Sequence, residues 1–353
     1  MSYKILSINP GSTSTKVALY EDEKEIFSES IVHNAEDLSK FGSVPEQTGF
    51  RDEAVRSVLQ KHGVDLKELS AVAGRGGLLP NMKGGGYLVT EKMIDALLSE
   101  KISQHASNLG AVLASRIAGP LGINAYIYDA VTANEFPEIA MISGMPDVRR
   151  TNKCHVLNMK AVSRKVAEKY GRAFEDMRLI VAHLGGGITI SAIESGKIID
   201  SIGDDSGPFA PERSGSISLF YVTDMFYSGV YNKKEMIAKI RGRGGLKAYF
   251  GTSDCKEIEK MIEAGDGQAK LIYEAMAYQV AKGIGELAPV LCGKIDFIIL
   301  TGGLSHSEMF TKMLIERIAF LAPIEMVPGE NEMEALTLGV LRILNGEETA
   351  LEY

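Results

Sequence analysis

The sequence lacks the cysteine pairs, long apolar runs and leader segment that mark secreted and membrane proteins. Its three cysteines, Cys154, Cys255 and Cys292, are isolated and have no C-x-x-C spacing. This excludes a disulfide framework and a cysteine zinc site, and it indicates a reducing compartment. The N-terminal segment reaches a polar turn at Asn9, too early for a secretory signal, and no run approaches the ~18 apolar residues of a membrane span. We therefore expect a cytoplasmic protein with no membrane partner.

Clusters of basic residues are also scarce. Lys and Arg number 38 against 46 Asp and Glu, which gives a formal net charge of −8, so nucleic acid is a poor partner. The densest basic segment, RGRGGLK at 241–247, has the composition of a nucleic-acid-binding RGG tract, but it is short and continues directly into Ala-Tyr-Phe. We interpret it as a glycine-rich loop after a helix.

Several catalytic motifs are missing as well. The sequence has no H-E-x-x-H and no G-x-G-x-x-G after a strand, which removes the usual support for zinc hydrolase and dinucleotide-enzyme hypotheses. The segment Gly11–Lys16 resembles a P-loop, but Thr15 replaces its second glycine and Val17 replaces the hydroxyl that would bind Mg²⁺. The β-branched residues here predict a strand, not the helix that a P-loop requires. We expect a hairpin, with Lys16 on a solvated face or, alternatively, near phosphate.

An internal repeat indicates how the chain is organised. Segments 4–30 and 178–203 share one plan: an apolar strand, a glycine-containing turn, an alternating strand, a polar turn and a third strand. Each segment opens a half that continues with helices and strands, and 353 residues, 45% of them hydrophobic, suffice for two domains with their own cores. We predict a duplicated α/β chain with a ligand cleft between its halves.

Helical and strand periodicities predict the remaining elements. Predicted helices lie near 51–62, 91–101, 106–118, 217–228, 233–241, 267–290 and 306–321, with a last helix after 328–329, and predicted strands lie near 69–73, 125–128 and 297–300. The long helix carries an apolar stripe of Leu271, Ala275, Met276, Val280, Ile284 and Leu287. Such a stripe serves a core or a subunit interface, and we expect a core.

Four glycine-containing turns follow predicted apolar strands, at 9–11, 74–77, 185–187 and 301–303. Glycine lets backbone N–H groups approach an anion without a Cβ in the way. One such turn has an ordinary steric explanation, but four turns in two repeated halves favour a phosphate-bearing ligand. Separate polar residues near strand ends, Asn9, Asp129 and Glu332, are candidate Mg²⁺ ligands, since Mg²⁺ takes one or two carboxylates and otherwise water and phosphate oxygens.

Charged side chains in loops supply further candidates. Arg75 and Arg213 are candidate anion ligands, because a guanidinium donates two parallel hydrogen bonds to carboxylate or phosphate. The alternative is two ordinary surface arginines, and the pair at 149–150 is interpreted as part of a solvated turn. His183 ends a strand and His105 begins a helix, and a lone histidine is more often structural than catalytic.

Five segments together carry a family resemblance: SINPGSTSTKVALYEDE, HLGGGITI, GPFAPERSGS, LTGGLSHS and PGENEMEALTLG. They resemble the acetate kinase family, within the actin, sugar-kinase and heat-shock-chaperone superfold, in order over essentially the whole chain. The resemblance implies an α/β fold of two duplicated ribonuclease-H-like domains, the actin-like ATPase fold, flanking an ATP cleft. It places the N-terminal domain at 1–131 plus 334–353 and the C-terminal domain, with the adenosine site, at 132–333.

The resemblance implies an activity and cofactors. The enzyme would be an ATP-dependent carboxylate kinase that transfers the γ-phosphoryl of ATP reversibly to butanoate with Mg²⁺, giving butanoyl phosphate and ADP. Asn9, Asp129 and Glu332 would organise Mg²⁺ and the phosphates. Arg75 and Arg213 would bracket the substrate carboxylate and the phosphoryl group in transfer. Family members are commonly dimers or larger assemblies, so we expect a homo-oligomer.

The remaining implied roles concern histidines and glycines. His183 stands where the family has the histidine of its HLG segment and would bond the γ-phosphate. His155 matches the family's FHG segment, although Cys154 replaces the aromatic residue, and His105 matches its HNP segment, although Ala-Ser replaces Asn-Pro. The glycines expected to contact phosphates or adenosine are Gly11, Gly185, Gly186, Gly187, Gly302 and Gly303.

The acyl preference has one sequence signal. Acetate kinases carry two valines after the arginine of the substrate loop, whereas Gly76 and Gly77 follow Arg75 here. We expect the missing isopropyl groups to leave room for extra methylenes, each worth about 0.8 kcal/mol when buried. The alternatives are an acetate or propionate kinase, a sugar kinase with Asp129 as its base, and a non-catalytic nucleotide-switch protein of the same superfold.

Overall fold

The computed structural model describes residues 2–203 and 206–353. Its strands, in chain order, are β1 (Lys4–Pro10), β2 (Ser14–Glu21), β3 (Lys24–Val32), β4 (Ala71–Arg75), β5 (Gly86–Leu88), β6 (Asn124–Tyr128), β7 (Arg178–Leu184), β8 (Ile188–Glu194), β9 (Lys197–Ile202), β10 (Phe297–Gly302) and β11 (Ile324–Pro328). Its α-helices are α1 (Ala35–Leu38), α2 (Thr48–Lys61), α3 (Glu91–Leu98), α4 (Leu109–Ala118), α5 (Glu138–Met141), α6 (Val156–Lys169), α7 (Leu219–Tyr227), α8 (Lys233–Ile240), α9 (Leu246–Phe250), α10 (Cys255–Glu263), α11 (Gly267–Leu287), α12 (Glu308–Ile318) and α13 (Glu332–Leu344).

Short 3₁₀ turns connect several of these elements. They span Pro45–Gln47, Leu66–Glu68, Ala106–Asn108, Gly119–Leu121, Phe174–Asp176, Ala288–Leu291 and Gly303–His306. Across residues 2–203 and 206–353, no helix has the length and apolar character needed to cross a bilayer.

Contacts divide the chain into two units. The first unit comprises Met1–Asn134 and Asn331–Tyr353, and the second comprises Glu135–Glu330. These limits differ by three residues from those predicted from the sequence. The difference assigns Glu332, at the start of α13, to the first unit instead of the second.

The first unit is built on a sheet with the strand order β3-β2-β1-β4-β6-β5. β1, β2 and β3 are antiparallel, and β4 and β6 run parallel to β1. Because side chains alternate along a strand, Leu6 and Ile8 of β1 pack with α2 and α4 in one apolar core. Ser7 points to the other face, where its hydroxyl bonds Thr337 of α13 at 2.7 Å.

The second unit repeats this plan, with the order β11-β10-β7-β8-β9. β7, β8 and β9 are antiparallel, and β10 and β11 continue in parallel from β7. α11 and α12 supply the main core against this sheet, while α6 contacts β7 and β10. The predicted duplication is therefore confirmed, strand by strand, in the two sheets.

The first hairpin is also confirmed. β1 and β2 pair so that Pro10 faces Thr15 and Asn9 faces Lys16, and the Gly11 N–H donates to the Ser14 carbonyl at 2.7 Å. Lys16 therefore lies within a strand, and the segment has none of the helix that a P-loop needs.

The long helix α11 lies in the core, as expected, but the prediction is wrong for one residue of its apolar stripe. Tyr273, Met276, Val280 and Ile284 are fully buried, whereas Leu271 is 65% exposed. At 100° per residue, Leu271 points about 200° away from Tyr273, which occupies the buried face in its place.

Candidate active site

Polar side chains of the first unit meet at the carboxyl ends of its parallel strands. Asn9 lies near the end of β1, Arg75 ends β4, and Asp129 directly follows β6. Parallel strands bring these ends to one edge of a sheet, which is where open α/β sheets bind ligands. Glu332 arrives at the same edge as the first residue of α13, and the partial positive charge of that helix N-terminus favours its carboxylate.

Arg75 and Glu332 form the centre of this group. The Asn9 Nδ2–H donates to Glu332 Oε2 at 2.6 Å, and Arg75 Nη2 lies 3.6 Å from Glu332 Oε1. Arg75 Nη1 also donates to the Asp129 carbonyl oxygen at 3.4 Å, and the arginine is only 6% exposed. The structure therefore brings together Asn9, Arg75, Glu332 and the backbone of Asp129, and Arg75 is not an ordinary surface arginine.

The Asp129 side chain is held separately. Its Oδ1 accepts the Gly85 N–H at 2.8 Å, and the residue is 1% exposed. Its φ of +42° lies in the left-handed region, which is costly for a residue with a Cβ and recurs at functional sites. The chain thus turns sharply after β6 and presents the Asp129 carbonyl to Arg75.

The glycines after Arg75 do not leave the room that the sequence comparison predicted. A Cβ on Gly76 would lie 2.7 Å from the Ala130 Cβ, and one on Gly77 would lie 2.6 Å from Leu97 and 2.8 Å from the Asn108 Cα. Neighbouring atoms therefore fill the space that the valines' first carbons would need. The prediction that these two glycines enlarge an acyl pocket is wrong, because they serve close backbone packing.

His105 takes part in holding the same loop. Its Nδ1 lies 2.8 Å from Ser107 Oγ and accepts the Ser107 N–H at 3.2 Å, so the ring caps the 3₁₀ turn Ala106–Asn108. The next residue of that turn, Asn108, accepts the Leu78 N–H at 2.9 Å through its Oδ1. These contacts give His105 a structural function behind the Arg75 loop.

Arg51 of α2 is a residue that sequence reasoning missed. It is fully buried, and its guanidinium donates to the carbonyls of Gly11, Ser12 and Ser14 and to Thr15 Oγ1 over 2.9–3.3 Å. Burial lowers the pKa of the Arg51 guanidinium. The arginine therefore holds the first glycine turn in shape, although an arginine inside a polar helix carries no sequence signal of burial.

In the second unit, the two candidate histidines lie side by side. The rings of His155 and His183 stack with centroids 3.8 Å apart and planes at 12°. His183 is 1% exposed, and its Nδ1–H donates to Asn158 Oδ1 at 2.9 Å. The opposite nitrogen, Nε2, lies 3.6 Å from Glu330 Oε1, while His155 Nδ1 bonds Thr189 Oγ1 at 2.8 Å.

Two glycine turns border these histidines. A Cβ on Gly185 would lie 3.1 Å from His183 Nε2, so this nitrogen faces the turn between β7 and β8. Gly302 has a φ of +90°, and a Cβ there would lie 2.4 Å from the Leu184 carbonyl oxygen. Only glycine fits such a position, which explains this turn sterically, and the Gly302 N–H donates to the Gly329 carbonyl oxygen at 3.2 Å.

A cavity of about 470 Å³ opens beside these turns. Its lining residues come from the glycine turns, the 211–212 loop, the start of α10 and the 3₁₀ turn after β10: Gly185, Gly186, Pro211, Glu212, Ser253, Asp254, Cys255, Lys256, Glu259, Gly303, Leu304, His306, Ser307 and Glu330. A volume of this size suits a nucleotide-sized ligand. Of the glycines predicted to bind phosphate or adenosine, Gly185, Gly186 and Gly303 border this cavity.

The wall formed by α10 was not predicted from the sequence. The hydroxyls of Tyr273 and Ser307 both donate to Glu259 Oε1, which fixes this carboxylate at the cavity. Burial, with the nearby Glu259 charge, raises the pKa of the Cys255 thiol to about 12, so the thiol is an unreactive lining group. Asp254 caps the N-terminus of α10. An aspartate at a helix start is the one sequence signal that could have predicted this wall of the cavity.

Arg213 follows the cavity-lining Glu212. Its Nη1 lies 3.8 Å from Glu212 Oε2, and the Glu212 N–H donates to the Gly186 carbonyl at 3.0 Å. The loop packs on the glycine-rich segment after α8, where a Cβ on Gly245 would lie 1.6 Å from the Ala210 carbonyl oxygen. The predicted glycine-rich loop is confirmed for residues 241–245, whereas residues 246 and 247 already belong to α9. The close packing of this loop supports Arg213.

The donor set of the first unit fits a Mg²⁺ ion that keeps water and phosphate ligands. Glu332 offers a carboxylate beside the amide of Asn9, and Mg²⁺ is commonly held by one or two carboxylates. Within residues 2–203 and 206–353, no group of three or more His, Cys, Asp or Glu side chains is arranged to hold a metal ion.

Comparison with known sequences gives consistent matches. The Acetokinase family matches residues 144–337. The chain is 47% identical over 355 residues to a protein of Listeria monocytogenes described as a probable butyrate kinase, and 44% identical over 355 residues to butyrate kinase 2 of Clostridium acetobutylicum. Both alignments cover 100% of each protein.

Solved structures show the same fold. The acetate kinase of Porphyromonas gingivalis matches with a TM-score of 0.81 at 21% identity, covering 97% of this chain and 100% of its own. A propionate kinase from Francisella tularensis matches with a TM-score of 0.76 at 19% identity, covering 96% and 98%. At these identities the likeness concerns the fold alone, and it agrees with the two duplicated α/β units.

Proposed function

The chain belongs to the acetokinase family, and from this premise we propose that it is a butyrate kinase. It is an ATP-dependent carboxylate kinase, and its reaction is the reversible transfer of the γ-phosphoryl group from ATP to butanoate. The observation that carries this assignment is the full-length identity of 44–47% to relatives described as butyrate kinases.

The chemistry explains which residue types the reaction needs. A carboxylate is already ionised at neutral pH, so the nucleophile needs no general base. The difficulty is to bring a negative nucleophile to a negative phosphoryl group, and positioned cations and hydrogen-bond donors overcome it. Two arginines, a histidine donor and Mg²⁺ would supply such groups.

In the first unit, we assign the carboxylate substrate and the metal to the group around Arg75. The buried guanidinium, fixed by the Asp129 carbonyl and Glu332, would bind the substrate carboxylate, with Gly76 and Gly77 shaping the loop beside it. Asn9 and Glu332 would hold Mg²⁺ together with Asp129. When bound, the ion would neutralise charge on the phosphate oxygens.

In the second unit, we assign the nucleotide to the 470 Å³ cavity. The turn at 185–187 and Gly303 would present N–H groups to phosphate. Gly302, whose N–H donates to the Gly329 carbonyl oxygen, would contact the nucleotide through its backbone and leave space for adenosine. His183 would donate from Nε2 to the γ-phosphate, with His155 stacked against its ring. Arg213 would contact the phosphoryl group in transfer.

Trapping of the product tests this function. Purified protein with ATP and Mg²⁺ should convert butanoate into an acyl phosphate that hydroxylamine captures as the hydroxamate, with one ADP formed per hydroxamate. Glycerol and hexoses serve as acceptors in parallel reactions. If ADP forms only with a sugar or glycerol and no hydroxamate appears, the assignment as a carboxylate kinase is wrong and the protein is a sugar kinase.

We further propose that the protein is a homo-oligomer and that copies associate through the α7 patch. This patch comprises exposed apolar residues of α7 and the turn after it, Leu219, Phe220, Tyr221, Phe226, Tyr227 and Val230, which are 43–88% exposed. None of the nine residues of α7 is buried, and so short a helix is marginal alone in water. Contact with the same patch of a second copy would bury these side chains.

Light scattering after size exclusion tests the association. The unchanged protein should elute as a dimer or a multiple of dimers, and Phe220→Glu should shift it towards the monomer. Phe320→Glu is the matched control, because Phe320, two residues after the end of α12, is 83% exposed. A monomeric unchanged protein would refute the proposal.

We assign the protein to the cytoplasm, in keeping with three free cysteines.

A further inference from the structure

Asn158 is a buried polar residue on α6 that neither the motifs nor the comparisons assign to a function. It is 1% exposed, and its Oδ1 accepts two hydrogen bonds. One comes from His183 Nδ1–H at 2.9 Å, and the other from Thr301 Oγ1 at 3.4 Å. We propose that Asn158 is a positioning residue, which fixes the His183 ring so that its Nε2 faces the glycine turn at 185–187.

The contacts of the His183 ring indicate that Asn158 determines which ring nitrogen carries the proton. His155 stacks on the face of the ring, Glu330 lies 3.6 Å from Nε2, and Asn158 alone among these bonds Nδ1. A carbonyl oxygen at Nδ1 keeps the proton on that nitrogen. With this proton held at Nδ1, His183 donates from Nε2 to a phosphate when both ring nitrogens carry a proton.

The other end of the amide supports a functional explanation. Asn158 Nδ2 is buried and has no hydrogen-bond partner in the described structure. An unpaired buried N–H group costs stability, and such groups in a folded protein call for an explanation. An apolar residue would avoid this cost on a helix that packs against β7 and β10, but it would leave the His183 Nδ1–H without an acceptor.

A double-mutant cycle tests the inference, which rests on the proposed function of His183. The variants are Asn158→Ala, His183→Ala and the double variant, with kcat and KM measured for butanoate and ATP. At metal sites, loss of the hydrogen-bond partner that orients a coordinating histidine typically costs 10- to 100-fold, and we take this scale as the guide for His183. We expect Asn158→Ala to lower kcat by about 10-fold or more and to change both KM values less than about 3-fold. In the His183→Ala background, the same substitution should lower kcat by less than about a further 2-fold.

Two further variants separate positioning from folding. Ser163→Ala is the matched control, because Ser163 is a fully buried polar residue of the same helix whose hydroxyl donates to the Met159 carbonyl at 2.7 Å and does not contact His183 within the described chain. Its kcat should equal that of the unchanged protein. Asn158→Asp keeps an acceptor oxygen at Nδ1, so it should recover activity relative to Asn158→Ala.

The outcomes distinguish the inference from the proposed function. If His183→Ala reduces kcat but Asn158→Ala does not, the inference is overturned and the function of His183 stands. An Asn158→Ala defect that persists at full size in the His183→Ala background also overturns it. If His183→Ala retains full kcat, the proposed contact with phosphate is itself overturned. Should Asn158→Ala fail to fold, ¹⁵N NMR of the unchanged protein decides, because a proton absent from His183 Nδ1 would refute the positioning.

Discussion

Replacement of Arg75 is the sharpest structural test of the proposed substrate site. The Arg75→Ala variant removes the buried guanidinium that lies 3.6 Å from Glu332 Oε1 and 3.4 Å from the Asp129 carbonyl oxygen. If Arg75 binds the carboxylate and the developing charge, the loss of one such donor costs about 10²–10³ in kcat, or about 2.7–4 kcal/mol of transition-state stabilisation. Arg75→Lys keeps a charge but loses the planar fork, so it should recover only part of the loss.

The same substitution has a smaller, separate effect on stability. It leaves the Glu332 carboxylate without its cation, but that side chain is 19% exposed and keeps its hydrogen bond from Asn9. We therefore expect a loss of about 2 kcal/mol, below that for breaking a fully buried pair. The folded protein should persist, so activity and folding can be measured on the same sample.

The assay is ADP formation coupled to a spectroscopic readout at saturating ATP, with thermal unfolding recorded in parallel. Arg116→Ala is the control, since Arg116 is a half-exposed arginine of the same unit that pairs with Asp52, and its kcat should be unchanged. A folded Arg75→Ala protein with kcat within about 3-fold of the unchanged enzyme would refute the role given to Arg75.

Three further predictions concern other parts of the molecule. Arg51→Met should lower the free energy of unfolding in urea by about 3 kcal/mol, because several carbonyls lose their donor; an unchanged unfolding midpoint would contradict this. Gly77→Ala should cost about 1–3 kcal/mol through overlap with Leu97 and Asn108, whereas Gly49→Ala, with nothing within 4 Å, should cost nothing measurable, and equal effects would show that the crowding is absent. Chelation of Mg²⁺ should abolish turnover and added Mg²⁺ should restore it, while full activity in the chelator would exclude the metal.

The sequence predicted those features that depend on local pattern. The β-branched residues Thr15 and Val17 ruled out a P-loop and indicated a hairpin, and the repeated strand-turn-strand plan predicted both sheets. Arg75 and Glu332 were identified as site residues from their flanking motifs, although they lie far apart in sequence. That they meet follows from α13 returning to the edge of the first sheet, which no local pattern encodes.

The features that could not be predicted depend on packing between distant segments. No sequence pattern marks Asn158 or Arg51 as buried, because their burial follows from sheets that other parts of the chain complete. The Asn158 contact with Thr301, for example, joins residues 143 positions apart. The prediction for Gly76 and Gly77 was wrong for a related reason. The missing side chains were taken to leave space for the acyl group, but Ala130 and Asn108 fill that space.

The most direct test of the central claim is a comparison of carboxylate substrates with the purified enzyme. Acetate, propionate, butanoate, isobutanoate and valerate should be assayed as hydroxamates at fixed ATP and Mg²⁺. We predict that kcat/KM for butanoate exceeds that for acetate by about 10-fold or more, within the range that added methylenes provide. A higher kcat/KM for acetate would contradict the butyrate kinase assignment, and the absence of any hydroxamate with all five acids would contradict carboxylate kinase activity itself.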